Sequence, residues 1–370
     1  MTRPPDDNYS GHRADASPAE RRVRRQASAS VETLDESAKI ALDRAAVMLD
    51  RLDLGLAALA LGPRLVRHFR RKEAVCAIRS RHPRLSLSEP ELRALDVGTA
   101  APGEPLGEAA AYAAALERGL GESPHTLIEF ASLSELRGLI AANDSVPTPS
   151  RPPLSGHPRD GVRQDIESLD RWYRSERDRQ PPVLIAASVA ARIEALRPFP
   201  SGNRRLARLV GHLLLVPAFR RSEPAVYPSL YFTRRAPRTG SGARVAAAPA
   251  LDSDWIRFYA DGIAVSARAA LATARRLDRL VRDDVARIEK FGYAGASARR
   301  VHAAFQDHPV AAIDRIVEAS GLAVQAATRA IHRLRALGVI RETTGRSRGR
   351  IFSYREYARM LGAGTEPARE

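Results

Sequence analysis

Apolar residues recur three and four positions apart along most of the chain, the repeat of a helix with one buried face. Ala41, Ala45, Met48, Leu52 and Leu56 mark the first such stripe, on a helix that starts near Asp35. A second helix starts at Pro63, a residue suited to a first turn because no acceptor is needed for its nitrogen there. His82 to Gly107 is rich in Pro and Gly and reads as a connector. "GEAAAYAAALERGL" and "HTLIEFASLSELRGLIAA" then predict two helices, and Asn143 to Gly161 an extended, Pro-rich loop. "VRQDIESLDRWYRSER" and "PPVLIAASVAARIEAL" are helical again. The second is apolar on nearly every side, which predicts a central buried helix. "SGNRRLARLVGHLLLVPAF" predicts a further buried helix. "DWIRFYADGIAVSARAALATARRLDRLVRDDVARIEKF" predicts one long helix ending near Gly292.

The pattern changes near Ala296. Ala311, Ile313, Ile316 and Val317 form one apolar helical face, Gly321 supplies a tight turn, and Ala327, Ile331 and Leu334 line a second helix that Gly338 ends. "VIRETTGRSRGRIFSY" alternates around a basic, Gly-rich turn and predicts a β-hairpin. This is helix-turn-helix spacing followed by a wing. The outward positions of the second helix carry Gln325, Thr328, Arg329, His332 and Arg333, side chains suited to base edges and phosphates. Arg346, Arg348 and Arg350 in the wing suit backbone phosphates. Exposed arginines on a protein-docking module are the competing reading.

The chain therefore divides into a polar tail over 1–34, read as disordered, and an N-terminal helical region over 35–106. A core with the long connecting helix follows over 107–292, then the small domain over 296–361 and a second disordered tail over 362–370. The fold class is all-α.

Composition sharpens this picture in three ways. Aromatics make up 5% of the 370 residues against 44% hydrophobic, so the core is mostly Ala, Leu and Val, which favours helices. The formal charge of +16 suggests a polyanionic partner, although Arg-rich composition from a GC-rich genome gives the same balance. The one cysteine, Cys76, excludes an intramolecular disulfide and a thiol metal cluster, which fits a reducing cytoplasm. The first residues have no apolar core of a secretory signal, and no apolar run is long enough to span a bilayer. The histidines are scattered without metal-ligand spacing, and no G-x-S-x-G or Walker A pattern occurs. No metal site is expected.

The stretch "EALRPFPSGNRRLARLVGHLLL", Glu194 to Leu215, carries the candidate chemistry. Pro200, Ser201 and Gly202 are turn residues, and a helix begins at about Asn203. A helix N-terminus offers free N–H groups and the positive end of the macrodipole, hence an anion site, with Arg205 and Arg208 adding charge from one side. A plain structural cap looks the same in sequence.

"RPFPSGNRRLAR" resembles the signature of the Fic (Fido) family, H-x-F-x-[D/E]-G-N-G-R-x-x-R. Pro198, Phe199, Gly202, Asn203, Arg205 and Arg208 match; Arg197 stands at the histidine, Ser201 at the acid and Arg204 at the second glycine. The flanking helices and the C-terminal domain also resemble those of Fic proteins, many of which end in a winged helix. The resemblance implies a helical Fic core with a small β-hairpin flap, plus a C-terminal winged helix-turn-helix. It implies transfer of AMP from ATP to a protein hydroxyl, with the histidine as general base, the acid holding Mg²⁺ and the Gly-Asn-Gly backbone and arginines holding phosphates.

The departures oppose that reaction. Guanidinium stays protonated, with a pKa above about 12, so Arg197 is no base. Losing a general base costs about 10²–10⁴ in rate. Ser201 is a poor Mg²⁺ ligand beside a carboxylate, so Mg²⁺ is not expected to bind well. Arg204 crowds a place where glycine lets backbone approach phosphate. The cradle of Gly202, Asn203, Arg204, Arg205 and Arg208 remains a site for ATP or another phosphate ligand, held without metal. Relatives carry an inhibitory glutamate that pairs with the second motif arginine. His82 and Pro83 fall where that motif belongs, so no pairing glutamate is expected. The flap segment between Arg137 and Arg163 is Pro-rich and ill-suited to accept an added strand. The expectation is a cytoplasmic, DNA-binding regulator with a catalytically impaired Fic site. Its partners are double-stranded DNA, a nucleotide ligand and conceivably a second copy of the chain, and not a membrane. The alternatives are an active AMP transferase with an unorthodox base and a protein-binding pseudoenzyme.

Overall fold

The computed structural model describes residues 30–142, 159–235, 252–346 and 348–367. The readings of residues 1–29, of the flap over 143–158, of a loop over 236–251 and of the last three residues lie outside these.

Helix α1 (Glu36–Ala57) is started by Asp35, whose carboxylate accepts from the Ala38 N–H. α2 (Gly62–Ile78) carries Pro63 in its first turn as predicted. α3 (Glu89–Val97) lies within the predicted connector, which is a correction. Ser88 precedes it, Pro90 and two glutamates occupy its first turn, and Gly98 ends it in the left-handed conformation. These are ordinary start and stop signals on a helix with one fully buried apolar residue, Leu92, so its periodicity is faint.

α4 (Pro105–Leu120), α5 (Phe130–Ala141), α6 (Arg159–Glu176), α7 (Pro182–Leu196) and α8 (Asn203–Leu213) form the middle of the molecule. α7 is buried from Val183 to Ile193, as its unbroken apolar sequence predicts. It packs on α8 and on α10, the long helix. α9 (Ser229–Arg235) is short, and α10 (Ser253–Glu289) runs 37 residues, about 55 Å at 1.5 Å per residue. α10 lies lengthwise along α1. Gly211 on α8 is required by this packing, because a Cβ there would come within 2.5 Å of the Tyr259 hydroxyl on α10.

The C-terminal unit runs α11 (Gly295–Asp307), β1 (Val310–Ala312), α12 (Ile313–Ser320), α13 (Val324–Ala336), β2 (Arg341–Glu342), β3 (Ile351–Ser353) and α14 (Arg355–Gly362). The strands form one antiparallel sheet ordered β1-β3-β2. The predicted hairpin is β2–β3, and Ala327, Ile331 and Leu334 are buried as expected. Ala311 departs from its predicted place on a helix. It pairs with Phe352 as a strand residue, and the helix starts only at Ile313.

This unit is docked on the rest of the chain by buried and half-buried polar contacts. The Tyr354 hydroxyl donates to Asp284 at 2.6 Å, His308 Nδ1 meets Asp96 at 2.6 Å, and Arg64 and Arg67 both reach Asp307. Residues beyond α14 were expected to trail as a disordered tail. Thr365 is instead buried, its Oγ1 accepting from the Leu87 N–H and donating to the Gly362 carbonyl. Two cations also hold this turn: Lys72 donates to the Ala363 carbonyl and Arg234 to the Gly364 carbonyl. None of the described helices is long and apolar enough to cross a membrane.

Candidate functional site

The motif loop joins α7 to α8. α7 stops at Arg197, which adopts φ 47° and donates its N–H to the Ile193 carbonyl. It is the one described non-glycine residue with positive φ, so this position is held by its surroundings against its own preference. Asn203 laces the turn closed. Its Oδ1 accepts from the Phe199 N–H at 3.0 Å, and its Nδ2 donates to the Phe199 carbonyl at 2.6 Å. Gly202, with φ 79°, takes the left-handed turn into α8 and leaves the first helical N–H groups without a side-chain cap. Gly202, Asn203, Arg204, Arg205 and Arg208 are thereby brought to one helix start, with Arg197 and Ser201 on the loop before it.

Carboxylates inside the protein already face these arginines. Glu108, on the first turn of α4, is fully buried and lies 3.5 Å from Arg205, 3.4 Å from Arg81 and 3.2 Å from His82. A glutamate therefore meets a motif arginine from outside the segment where an inhibitory glutamate was sought. The segment around His82 supplies no such carboxylate, but α4 does, and it pairs with Arg205, the first of the two motif arginines. Glu194, at the end of α7, lies 3.7 Å from Arg204. Burial raises its pKa, against the pull of Arg204, Arg208 and Arg197. Arg208 reaches the Ala77 carbonyl at 3.5 Å. Below it sits Glu73, fully buried, accepting from the Ser229 N–H and hydroxyl. Burial pushes the Glu73 carboxyl up to about 7, with the Ser229 contacts and Arg208 opposing.

The Ser201 position does not fit a magnesium ion. Its hydroxyl accepts from Arg137 Nη2 at 3.0 Å, and its carbonyl from Arg137 Nε at 3.5 Å. A cation stands beside a neutral oxygen where a metal would need a carboxylate, and the nearby carboxylates are turned toward arginines. This geometry supports no step through a metal. Chemically, the loop can hold an anion by N–H groups and guanidinium, and it offers no proton acceptor at residue 197. Arg137, Glu108 and Glu194 were missed as partners in the sequence. The 97 positions that separate Glu108 from Arg205 give no local signal.

The second cluster lies on the C-terminal unit. On α13, Gln325, Arg329 and His332 are exposed, and Thr328 and Arg333 are half-exposed. Arg346 and Arg348 are exposed in the β2–β3 connection, and Arg350 is half-exposed. The Thr328 hydroxyl bonds back to the Val324 carbonyl and Arg329 Nε to the Gln325 carbonyl, both within the helix. Among the described residues none of these cations is paired with a carboxylate.

Comparison with known proteins agrees with this arrangement. Residues 155–215, which include α7, the motif loop and α8, match the family model for the Fic/DOC family. The fold is similar to the crystal structure of a Fic family protein from Desulfovibrio desulfuricans G20. The two chains are 16% identical, the match covers 87% of this chain and 96% of that one, and the TM-score is 0.51. No curated protein matches the chain. The sequence match to the family model rests on the motif segment, and the structural match shows a likeness in fold over most of the chain.

Proposed function

We propose that this is a Fic-family protein with an impaired AMP-transfer site, acting as a DNA-binding regulator through a C-terminal winged helix-turn-helix. The observation that carries the reading is the set of cations on α13 and the β2–β3 turn, none of them offset by a carboxylate among the described residues. The order helix, strand, helix, helix, strand, strand is the one such a module needs to present α13 to a major groove and the hairpin to the flanking backbone. Impairment is supported by Arg197, which cannot accept a proton, and by Ser201, which is held by Arg137. The motif cradle is read as a place for a nucleotide or phosphate ligand bound without metal, with Glu108 filling the anion's place beside Arg205.

Fluorescence anisotropy with a mixed-sequence DNA duplex tests the regulator reading. Replacing Arg329→Glu together with Arg333→Glu should weaken binding by about a hundredfold or more, from two lost contacts of about 1–3 kcal/mol each. Undiminished affinity would remove the assignment of α13.

One observation favours a second reading, an active transferase with an unorthodox base. Glu194 is a carboxylate beside the motif loop with a raised pKa, as a base working near neutral pH requires. On that reading the protein labels itself or a target from radiolabelled ATP, and Glu194→Gln stops the labelling. The impaired-site reading expects no labelling by either form.

A further inference from the structure

A second cationic place lies away from the motif loop. A cavity of about 450 Å³ opens between α9, α10 and the turn that follows α14, and it shares no lining residue with the motif loop. Its lining includes the apolar side chains of Leu230, Tyr231 and Val265, the Thr273 hydroxyl, the cations Arg234, Arg235 and Arg276, and the backbone turn at Ala363 and Gly364. Val265 is 49% exposed, an apolar side chain left open on an otherwise packed helix.

The charge here is only partly balanced from within: Glu366 attracts Lys72 and Arg79, while Arg234 and Arg276 make no ion pair among the described residues. Lys72 is 1% exposed, and its ammonium donates to the Ala363 carbonyl at 2.6 Å. Arg234 donates to the Gly364 carbonyl at 2.6 Å, and Arg79 to the Glu366 carbonyl at 3.2 Å. Carbonyl oxygens satisfy hydrogen bonds without neutralising charge. Arg276 is exposed and makes no ion pair among the described residues. The carboxylate nearest in sequence to the turn, Glu366, accepts from the Gly364 N–H. Burial first, then repulsion from Arg234 and Arg276, holds the Lys72 pKa down to about 8, against the attraction of Cys76 and Glu366. A volume of this size, lined by both apolar and cationic side chains, suits a small amphipathic molecule.

We propose that this cavity binds a small ring-bearing organic anion, its phosphate or carboxylate taken by Arg234 and Arg276 and its ring laid against Tyr231 and Val265. The planar guanidinium groups suit either anion, and the tyrosine face suits a ring. The inference is independent of the DNA and nucleotide readings above.

Calorimetric titration of the full chain with phenyl phosphate, benzoate and inorganic phosphate decides the matter. Phenyl phosphate or benzoate should saturate one site, and which of the two does so separates the phosphate and carboxylate sources. Inorganic phosphate should bind at least about tenfold more weakly, because it lacks the ring. Arg276→Gln should weaken the aromatic anion by about tenfold, the worth of one charge-assisted contact. Val265→Trp, at a half-exposed position that tolerates bulk without unfolding, should abolish binding by filling the cavity. Arg205→Gln separates this cavity from the motif cradle and should leave the aromatic anion bound. The proposal is overturned by any of four results: no saturable binding of either aromatic anion; inorganic phosphate binding as well as they do; binding untouched by both Arg276→Gln and Val265→Trp; or binding lost in Arg205→Gln, which would place it in the cradle.

Discussion

At the scale of single residues, Arg204 and Arg205 of the motif are turned inward on the protein's own carboxylates. Glu108 is the clearest case: a fully buried carboxylate, it meets the guanidinium groups of Arg205 and Arg81 and the ring of His82. Removing that charge while keeping its shape leaves the cations in want of an anion. Glu108→Gln should therefore raise affinity for ATP in the absence of Mg²⁺ by about tenfold, one charge-assisted contact freed, in a calorimetric titration. Equal affinity in the variant would mean that Arg205 is not the group on which an anion is taken. Much of this site was legible in the sequence. Arg197, Ser201, Gly202, Asn203, Arg204, Arg205 and Arg208 sit on adjoining turns, and turn residues followed by a helix start are local signals. Glu108 and Arg137 reach the loop from α4 and α5, and contacts between distant segments leave no spacing to read.

At the scale of elements, the long amphipathic helices were legible because each carries a wide apolar stripe, while short elements were not. α3 has a start signal and a stop signal but little buried surface between them. β1 is three residues that run without a break into α12, so its apolar residues extend a helical stripe and conceal the strand. Element packing also buries titratable groups, and this sets a pH dependence. His68 on α2 and His302 on α11 are held down to about 4 by burial, and His212 on α8 to about 3. The unfolded histidine titrates near 6.5, so below that pH the unfolded chain takes up protons that the folded chain refuses. These groups contribute stability that is complete above about pH 6.5 and is lost as pH falls toward their folded values. Glu73 acts oppositely. Its carboxyl is raised to about 7, so its contribution is present below about pH 4.5 and is lost as pH rises through 7. Glu73, with the smaller opposing shift of Glu194, does not offset three depressed histidines. The net loss by about pH 4 is on the order of 5 kcal/mol at about 1.4 kcal/mol per unit. The melting temperature should fall steadily from about pH 6.5 downward, and a flat profile across that range would contradict the burial of these rings.

At the scale of the whole molecule, a cationic C-terminal unit is fixed to the helical core that carries the motif loop. The unit is held by Tyr354 to Asp284, His308 to Asp96 and the turn around Thr365, so core and unit share buried polar contacts as well as the long helix α10. The sequence reading set a small domain apart beyond Ala296 and gave no sign of these contacts, since partners such as His308 and Asp96 lie more than two hundred positions apart. The excess of positive charge, +16 over the chain, is not explained by the motif loop, where carboxylates already meet the arginines. The cations of α13 and the hairpin turn have no carboxylate partner among the described residues, and the proposed reading gives them a polyanion as partner. The most direct measurement is the affinity of the unmodified protein for a mixed-sequence DNA duplex across a series of salt concentrations. Each phosphate neutralised contributes a slope of about −0.9 in log affinity against log salt, so Arg329, Arg333, Arg346, Arg348 and Arg350 acting together predict roughly −4. Tight binding at low salt with a slope of that order supports a DNA-binding regulator; no duplex binding at low salt, or binding indifferent to salt, contradicts it.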